Sequence, residues 1–220
     1  PEVLKYADVP EPKLGAEDVL VKVKVSGVNP NGYWARVGVN SRKFPLPMIP
    51  GSDASGIVVD VGARVTSWKP GDEVLVYCGI SCRKCFRCVN GEEHICERGF
   101  QIWGFDTGPL MGAHADYFAL HEHNLVPKPK GLTHEEAASL PLTLVTAWHM
   151  LVRRARIEAN DLVMIRGAAG GLGLFAIQIA RLRGAIAIAV VSNEEKAEIA
   201  KSFGAHHVII RGRDTDETAA

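Results

Sequence analysis

The order of apolar and helical patterns in the last third of the chain constrains the fold more than any other feature. Short apolar runs at residues 162–166, 186–191 and 208–210 predict buried strands, and helical patterns at residues 172–183 and 194–203 separate them. Strands that alternate with helices pair in parallel, because each connection must cross back over the sheet. The sequence therefore predicts an α/β region built as β-α-β-α-β, the first half of a doubly wound sheet.

The first half of the chain has a different texture and predicts a β-rich domain. Residues 19–25 alternate apolar and charged side chains, residues 55–61 form a second strand pattern, and residues 69–72 (Lys-Pro-Gly-Asp) predict a turn before a third. Short strands separated by such turns are typical of a compact barrel-like domain.

The β-rich pattern gives way to the alternating strand and helix pattern near a helix start at Thr133. We therefore predict two domains, residues 1–132 with a cysteine lobe at residues 78–98, and residues 133–220. A further helix is predicted at residues 146–154. The residues after 210 are polar, so we expect the second domain to be truncated after the first half of its sheet.

All the cysteines of the chain lie in the cysteine lobe, and four of them have the spacing C-x2-C-x2-C-x7-C. Thiolates suit tetrahedral zinc, and two-residue gaps allow neighbouring sulfurs to meet at one ion. Four sulfurs fill the coordination shell, so the spacing predicts one structural zinc held by Cys82, Cys85, Cys88 and Cys96. The alternatives are an iron–sulfur cluster on the same ligands, or reduced cysteines without metal. Cys78 is expected to be a small, partly buried side chain.

Charge and hydropathy exclude several classes of partner. The chain carries 25 basic and 25 acidic residues, which gives no electrostatic basis for binding nucleic acid or an anionic membrane surface. No apolar run approaches the roughly 20 residues that a membrane span requires, and the first residues do not resemble a signal peptide. Cysteines gathered in one segment favour a reducing, cytoplasmic setting. We expect the partner to be a small-molecule substrate.

A glycine-rich loop lies between the first predicted strand and the first predicted helix of the second domain. Its residues Gly167, Gly170, Gly171, Leu172 and Gly173 stand where a dinucleotide fingerprint is expected. Small residues allow the backbone to approach a pyrophosphate, which the amides and dipole of the helix start then stabilise. The loop predicts a dinucleotide cofactor, and a tight turn without a ligand is the alternative.

The end of the next strand is expected to decide which dinucleotide binds. An NAD site usually places a carboxylate there for the ribose hydroxyl, and this chain has Ser192 instead. Ser192 can donate to a 2′-phosphate and Lys196 can neutralise it, so NADPH is favoured. Glu194 and Glu195 favour NAD if the strand ends later, and otherwise they belong to the start of the following helix.

These features together resemble the medium-chain dehydrogenase/reductase superfamily. The resemblance covers essentially the whole chain and implies a GroES-like β-barrel catalytic domain plus the first half of a Rossmann doubly wound sheet. It also implies a homodimer or tetramer at full length, since the missing half of the sheet normally supplies cofactor contacts and the dimer edge. Besides the cysteine lobe and the glycine-rich loop, it rests on the motifs Gly51-Ser-Asp-Ala-Ser-Gly56, Val61-Gly62, Lys69-Pro-Gly-Asp-Glu-Val74, Leu140-Pro-Leu-Thr143 and Thr146-Ala-Trp148.

Zinc-dependent alcohol dehydrogenases of this superfamily hold a second, catalytic zinc, and the resemblance implies that its ligands are absent here. Asn29 stands where their first cysteine ligand lies, Ser52 stands where the histidine lies, and their last cysteine would fall near Pro141 or Leu142. Asp53 alone cannot hold a catalytic zinc, which needs about three protein ligands. Simple alcohol oxidation is disfavoured without this Lewis acid.

In lacking these ligands, the chain is similar to the quinone-reductase and enoyl-CoA-reductase branches of the superfamily. Residues 27–35, 51–56, 102–107 and 190–196 look most like crotonyl-CoA carboxylase/reductases and acrylyl-CoA reductases. The carboxylating members carry Phe-Glu where this chain has Phe105-Asp106. We therefore expect plain reduction rather than carboxylation.

The resemblance implies hydride transfer from NADPH to an activated double bond, such as that of an enoyl-CoA thioester, and then protonation of the enolate. Asn29 and Asn31 are expected to position substrate, Asp106 to bind ordered water or transfer a proton, and Thr143 or Thr146 to lie near the nicotinamide. The structural alternatives are a turn at the asparagines and an internal helix cap at the threonines. Other functions stay open: a quinone or enone reductase, another alcohol dehydrogenase-like oxidoreductase, and a non-catalytic nucleotide-binding protein.

Overall fold

The computed structural model describes residues 3–38, 44 and 46–211. The chain divides into two compact units, Pro1–Leu142 and Thr143–Ala220. Within the described residues, no helix is both long enough and apolar enough to cross a membrane.

The first unit is built on an antiparallel sheet of five strands in the order β6-β1-β2-β3-β7. A separate two-stranded ladder pairs β4, at the start of the cysteine lobe, with β5, just after its end. Val19 and Val21 on β1 are buried against Val58 and Val74. Leu20 between them is buried as well, so the predicted alternation appears only from residue 22 onward, where the lysines are exposed. The strands are β1 (Asp18–Gly27), β2 (Asp53–Val61), β3 (Glu73–Val76), β4 (Gly79–Ile80), β5 (Gln101–Ile102), β6 (Tyr117–His121) and β7 (Leu125–Pro127).

Three short helices and a fully buried tryptophan complete the first unit. Helix α1 (Pro30–Val37) follows β1, α2 (Phe86–Val89) lies in the cysteine lobe, and α3 (His134–Ala138) packs against β1 and β2. Trp103 fills the core beside Phe118, with the rings edge to face and their centroids 4.9 Å apart.

The second unit is a parallel sheet in the order β10-β9-β8 with helices between its strands, so the predicted α/β class and the parallel sheet half are confirmed. Alanines dominate its core, including Ala176 and Ala180 on the first helix and Ala187 and Ala189 on the middle strand. Small side chains allow that helix to lie close to the sheet. The elements are β8 (Leu162–Arg166), α5 (Gly171–Leu182), β9 (Ile186–Val191), α6 (Glu194–Ser202) and β10 (His207–Ile210).

The segment between the two sheets holds the predicted helix start and one correction. The capping box at Thr133 is confirmed, because its hydroxyl accepts from the Glu136 amide while the Glu136 carboxylate accepts from the Thr133 amide. The next helix, α4 (Pro141–Trp148), begins at Pro141, so the predicted start at residue 146 is wrong. Pro141 suits the first turn of a helix, and the carboxylate of Asp53 accepts the Leu142 amide at 2.6 Å. A π-helical stretch, His149–Arg154, follows.

Helix α3 belongs to the first unit, whereas the sequence placed the start of the second domain at Thr133. Two contacts hold this helix to the first sheet. His134 Nδ1 lies 2.6 Å from the Ser55 hydroxyl on β2, and its Nε2 lies 3.2 Å from the Glu73 carboxylate on β3. At Gly27 a Cβ would lie 3.1 Å from the carbonyl oxygen of Ala138, so glycine permits the close approach.

Glu122 gives the first unit a measurable pH dependence. Its carboxylate is buried and accepts the amides of Ser67 and Thr66 at 3.0 and 3.1 Å, which lower its pKa. A carboxylate with a lowered pKa in the folded state stabilises the fold above its unfolded pKa, and this contribution is lost as the pH falls through the folded value. We therefore expect Glu122→Gln to cost about 1–2 kcal/mol at pH 7. The cost should shrink as the pH falls below 4.5.

Thermal unfolding of the two proteins at pH 7 and at acid pH measures this difference. Glu11→Gln, which neutralises an exposed carboxylate, serves as the control and should leave the melting temperature unchanged at both pH values. A gap between wild type and Glu122→Gln that stays constant with pH would contradict the assignment.

Candidate functional site

The four cysteines predicted to bind metal come together in the cysteine lobe. Their sulfurs all lie within 4.8 Å of one another, with Cys85 and Cys88 3.5 Å apart, Cys82 and Cys88 3.9 Å, and Cys85 and Cys96 4.0 Å. A tetrahedral zinc with Zn–S bonds of about 2.3 Å would hold its sulfurs about 3.8 Å apart. The spacing therefore fits one such ion, and the cysteines are free thiols rather than disulfides. Among the described residues, this is the only cluster of His, Cys, Asp or Glu of that kind.

Backbone amides in the lobe favour the thiolate form that a metal requires. The amide of Lys84 lowers the pKa of Cys82 to about 6, and the amide of Cys88 lowers the pKa of Cys85. The Cys82 amide donates to the Cys96 sulfur at 3.4 Å. Burial instead raises the pKa of Cys88 to about 11. A cation at the centre of the cluster would compensate this cost of burial.

Asn124 fastens the cysteine lobe to the main sheet, and the sequence did not identify it. Its side-chain nitrogen donates to the carbonyl oxygens of Tyr77 and Gly79 at 2.9 and 2.8 Å, and its oxygen accepts from Arg83 at 2.8 Å. The residue is buried with all these bonds made. Its partners lie more than 40 residues away along the chain, so no local pattern signals the role.

Cys78 stands apart from the cluster, in the core of the first unit. Burial, and then the charge of Asp53, raise the pKa of its thiol to about 12. It therefore stays a neutral, unreactive thiol, deeper than the partly buried position that the sequence suggested.

A second group of polar residues surrounds residues 51–53, at the start of β2. Asn29 Nδ2 donates to Asp53 Oδ2 at 2.6 Å, and Asn31 Nδ2 donates to the Ser52 hydroxyl at 2.9 Å. Ser52 and Asp53 are almost completely buried, and burial raises the pKa of Asp53. The structure thus brings together the two asparagines predicted to position substrate, because their partners are consecutive residues of the chain.

Asp106 lies in the turn after β5, where its carboxylate is engaged. Its Oδ1 accepts the amide of Ile102 at 2.5 Å, and its carbonyl oxygen accepts from the side chain of Gln101 at 2.8 Å. These bonds give Asp106 a structural role in the turn. Its role in binding water or transferring a proton stays a prediction.

The glycine-rich loop of the second unit lies between β8 and α5, as the sequence predicted. Gly167 has a φ of +65° and Gly170 precedes the first turn of α5, whose amides point toward the loop. A Cβ at Gly173 would lie 2.6 Å from the Cα of Ala168, so only glycine allows α5 to pack this close to the glycine-rich loop. A Cβ at Gly171 would have Thr143 Cγ2 as its nearest neighbour, at 3.4 Å. Leu172, in the first helical turn, is partly exposed.

These glycines yield a matched pair of substitutions. Gly173→Ala should destabilise the second unit by about 1–3 kcal/mol and weaken dinucleotide binding, because the methyl group must push α5 away from the loop. Gly171→Ala should leave the stability of the second unit nearly unchanged, since its nearest protein contact is at van der Waals distance. Thermal unfolding and fluorescence titration with NADPH test both. Equal effects of the two substitutions would contradict the close packing at Gly173.

A cavity of about 700 Å³ opens beside the loop at the carboxyl ends of the parallel strands. Ser192 and Lys196 line it, with Lys196 Nζ 3.1 Å from the Ser192 hydroxyl. Arg166 and Arg211 also line it, and the sequence identified neither of them. Three cations and a hydroxyl in its lining make the cavity suitable for a phosphate.

The remaining predicted cofactor residues occupy two helices. Thr143 and Thr146 lie on α4, and Thr143 is the one that approaches the glycine-rich loop at Gly171. Glu194 and Glu195 form the first turn of α6 and are exposed. Carboxylates stabilise the start of a helix, so this position agrees with the structural alternative, in which Glu194 and Glu195 belong to the start of α6. The roles of all these residues toward a cofactor stay predictions.

Two known protein families match parts of this chain. A family model described as "Alcohol dehydrogenase GroES-like domain" matches residues 15–130, and one described as "Zinc-binding dehydrogenase" matches residues 171–220. The chain belongs to the medium-chain dehydrogenase/reductase superfamily. The resemblance drawn from the sequence motifs is therefore confirmed.

Relatives within this superfamily differ in what their names say they do. A crotonyl-CoA carboxylase/reductase of Cereibacter sphaeroides is 40% identical over 217 residues, which is 96% of this chain and 50% of the relative. A solved structure named an NAD-dependent alcohol dehydrogenase is 44% identical with a TM-score of 0.89, covering 95% of this chain and 60% of that one. A 2-octenoyl-CoA carboxylase reductase, CinF, solved with NADP and 2-octenoyl-CoA, is 36% identical with a TM-score of 0.85, covering 96% and 51%. The chain thus spans about half the length of the curated relatives it matches.

Proposed function

We propose that the protein is an NADPH-dependent reductase of an activated carbon–carbon double bond, such as that of an enoyl-CoA thioester. The observation that carries this proposal is the group around residues 51–53. At positions where zinc-dependent relatives carry metal ligands, this chain has Asn29 and Ser52, each engaged in a hydrogen bond. Such a site offers amide donors to a substrate oxygen rather than ligands to a catalytic metal.

The asparagines have the donors that this chemistry requires. Each carboxamide has two N–H groups, and the bond to Asp53 or Ser52 uses one of them. The second N–H of Asn29 and of Asn31 would donate to the substrate carbonyl, whose oxygen gains negative charge when the double bond is reduced. Buried partners fix both amides in advance, so little reorganisation is needed during the reaction.

NADPH is the proposed cofactor, and bound in the second unit it would supply the hydride. Gly167, Gly170 and the first turn of α5 would hold its pyrophosphate. Ser192, Lys196 and Arg211 would bind the 2′-phosphate, because they line one cavity and offer a hydroxyl and two cations. The NADP in the CinF structure is consistent with this choice.

The cysteine lobe is proposed to hold one structural zinc. Four sulfurs at tetrahedral spacing would fill its coordination shell and leave no position for substrate. The zinc would therefore stabilise the lobe and take no part in the reaction. We also propose that the full-length protein is a homodimer or tetramer, as the family resemblance implies, and that it is cytoplasmic, as the grouping of its cysteines in one segment favours.

Alcohol oxidation is the second candidate, because the structure named an NAD-dependent alcohol dehydrogenase is 44% identical to this chain over the residues that align. That reaction needs a Lewis acid to stabilise an alkoxide. It would therefore require a second zinc on ligands other than Asn29 and Ser52.

An assay on the full-length protein separates these functions. NADPH consumption is followed with crotonyl-CoA, acrylyl-CoA, a quinone and an aldehyde, and mass spectrometry identifies the product. We expect a saturated acyl-CoA without added carboxylate, because Asp106 stands where carboxylating relatives carry glutamate. Preferred turnover of the quinone would instead favour a quinone reductase. Cofactor binding without turnover of any substrate, or two zinc ions per chain, would contradict the proposal.

A further inference from the structure

The proposed reaction does not use His114, which contacts the residue immediately before the partners of the two asparagines. His114 belongs to the segment before β6, which two backbone hydrogen bonds tie to the start of β2: His114 N to Pro50 O and Ala113 N to Gly51 O, both at 2.9 Å. At Gly51, whose φ is +105°, a Cβ would lie 2.8 Å from His114 Nδ1. The imidazole therefore rests directly on the Gly51 backbone.

Three consecutive residues of this segment each meet one polar side chain. Gly51 meets His114, Ser52 accepts from Asn31, and Asp53 accepts from Asn29. The imidazole and the two amides proposed to bind the substrate oxygen therefore all contact one three-residue segment.

The orientation of the ring is fixed by Ser26. Its hydroxyl lies 3.0 Å from His114 Nδ1, at the end of β1 and three residues before Asn29. When Nδ1 accepts this hydroxyl, the proton of the neutral ring resides on Nε2. Nε2–H is then the donor that faces away from Ser26, and the residue is exposed enough to be reached from solvent.

The charge state of the ring suits a donor that does not ionise. Burial of part of the ring, and then the charge of Arg36, lower the pKa of His114. This shift favours the neutral imidazole. A neutral imidazole can stabilise a developing oxyanion by hydrogen bonding without leaving a cation behind.

We propose that His114 is a third substrate-binding group of this site, whose Nε2–H donates to the substrate carbonyl oxygen alongside Asn29 and Asn31, with Ser26 holding the ring in place. This inference rests on the proposed function, since it assumes a substrate whose carbonyl oxygen gains charge. It involves only a hydrogen bond, and no proton leaves the ring.

Substitutions that move the donor test this role in the full-length protein with crotonyl-CoA. The amide nitrogen of glutamine reaches about as far as Nε2, whereas that of asparagine reaches only about as far as Nδ1. We expect His114→Phe and His114→Asn to lower kcat about 10- to 100-fold, and His114→Gln to retain most of it. Ser26→Ala should lie between. NADPH affinity, measured by fluorescence titration, should be unchanged in every variant, because the cofactor is proposed to bind the second unit. Thermal unfolding checks that the first unit, which carries Ser26 and His114, stays folded.

The outcomes separate the inference from the function on which it rests. An active wild type with kcat for His114→Phe within twofold would overturn the role of His114 and leave the proposed function standing. Equal losses in His114→Gln and His114→Asn would also overturn it, because position of the donor would then not matter. A wild-type protein that binds NADPH but reduces no enoyl-CoA would contradict the proposed function and this role together.

Discussion

Replacing Cys88 with serine is expected to abolish zinc binding and unfold the cysteine lobe while both main cores persist. The lobe has a small core of its own, formed by Cys85, Cys88 and Cys96 with Cys82 and Phe100 packed against it. Four thiolates bind zinc with about 10 kcal/mol or more in small zinc peptides, and that free energy is largely folding free energy. Without it, so few apolar contacts cannot offset the conformational entropy of the segment.

Metal analysis and limited trypsin digestion measure this outcome. Wild type should contain one zinc per chain and resist trypsin at Arg83, Lys84 and Arg87, which all lie in the lobe. Cys88→Ser should contain almost none and be cut there at low protease concentration, because proteolysis follows local unfolding. The melting temperature should fall as well, since Asn124 no longer has an ordered lobe to hold.

Cys78→Ala is the matched control, because Cys78 lies outside the cluster in the core of the first unit. It should keep its zinc and its resistance to trypsin in the lobe, with only a modest loss of stability from the small cavity. Zinc retained in Cys88→Ser, or wild-type protein that contains iron or no metal, would contradict the structural zinc.

Features that depend on residues close together along the chain were predictable from the sequence. The strands and helices of the second unit follow local apolar periods, and the capping box at Thr133 needs only four residues. The cysteine cluster was equally accessible, because ligand spacing within one short segment restricts how its sulfurs can meet. In each case the interacting groups are near neighbours along the chain.

Features that depend on distant partners were missed or misplaced. The start of α4 at Pro141 depends on the Asp53 carboxylate, 89 residues from the amide that it accepts. The pairing of His114 with Ser26 spans 88 residues, so neither residue suggests the other. Arg166 and Arg211 share a cavity only because parallel strands bring their carboxyl ends to one edge of the sheet. Tertiary structure, rather than local pattern, assembles these groups.

We expect a second large effect, a change of cofactor preference, from Ser192→Asp. Ser192 lies at this same edge of the sheet. Ser192 lies in the cavity with Lys196 and Arg211, where the 2′-phosphate of NADPH is proposed to bind. A carboxylate about 4 Å from that phosphate would repel it by about 4 kcal/mol at the effective dielectric constant of a protein surface. NADPH affinity should therefore fall about 100- to 1000-fold. NADH affinity should hold or improve, because the new carboxylate can accept from the ribose hydroxyl.

Calorimetric titration with both dinucleotides at low salt tests this prediction without requiring turnover. Ser202→Asp is the matched control: it adds the same charge to α6, outside the cavity, at a serine whose hydroxyl donates to the Ile199 carbonyl. Its NADPH affinity should stay within a few fold of wild type, since a distant surface charge is largely screened. Lys196→Gln should weaken NADPH and leave NADH unaffected, because a cation that serves the 2′-phosphate has no counterpart in NADH. Equal weakening of both dinucleotides by Ser192→Asp would show that the phosphate lies elsewhere, and the choice of NADPH would then lose its structural support.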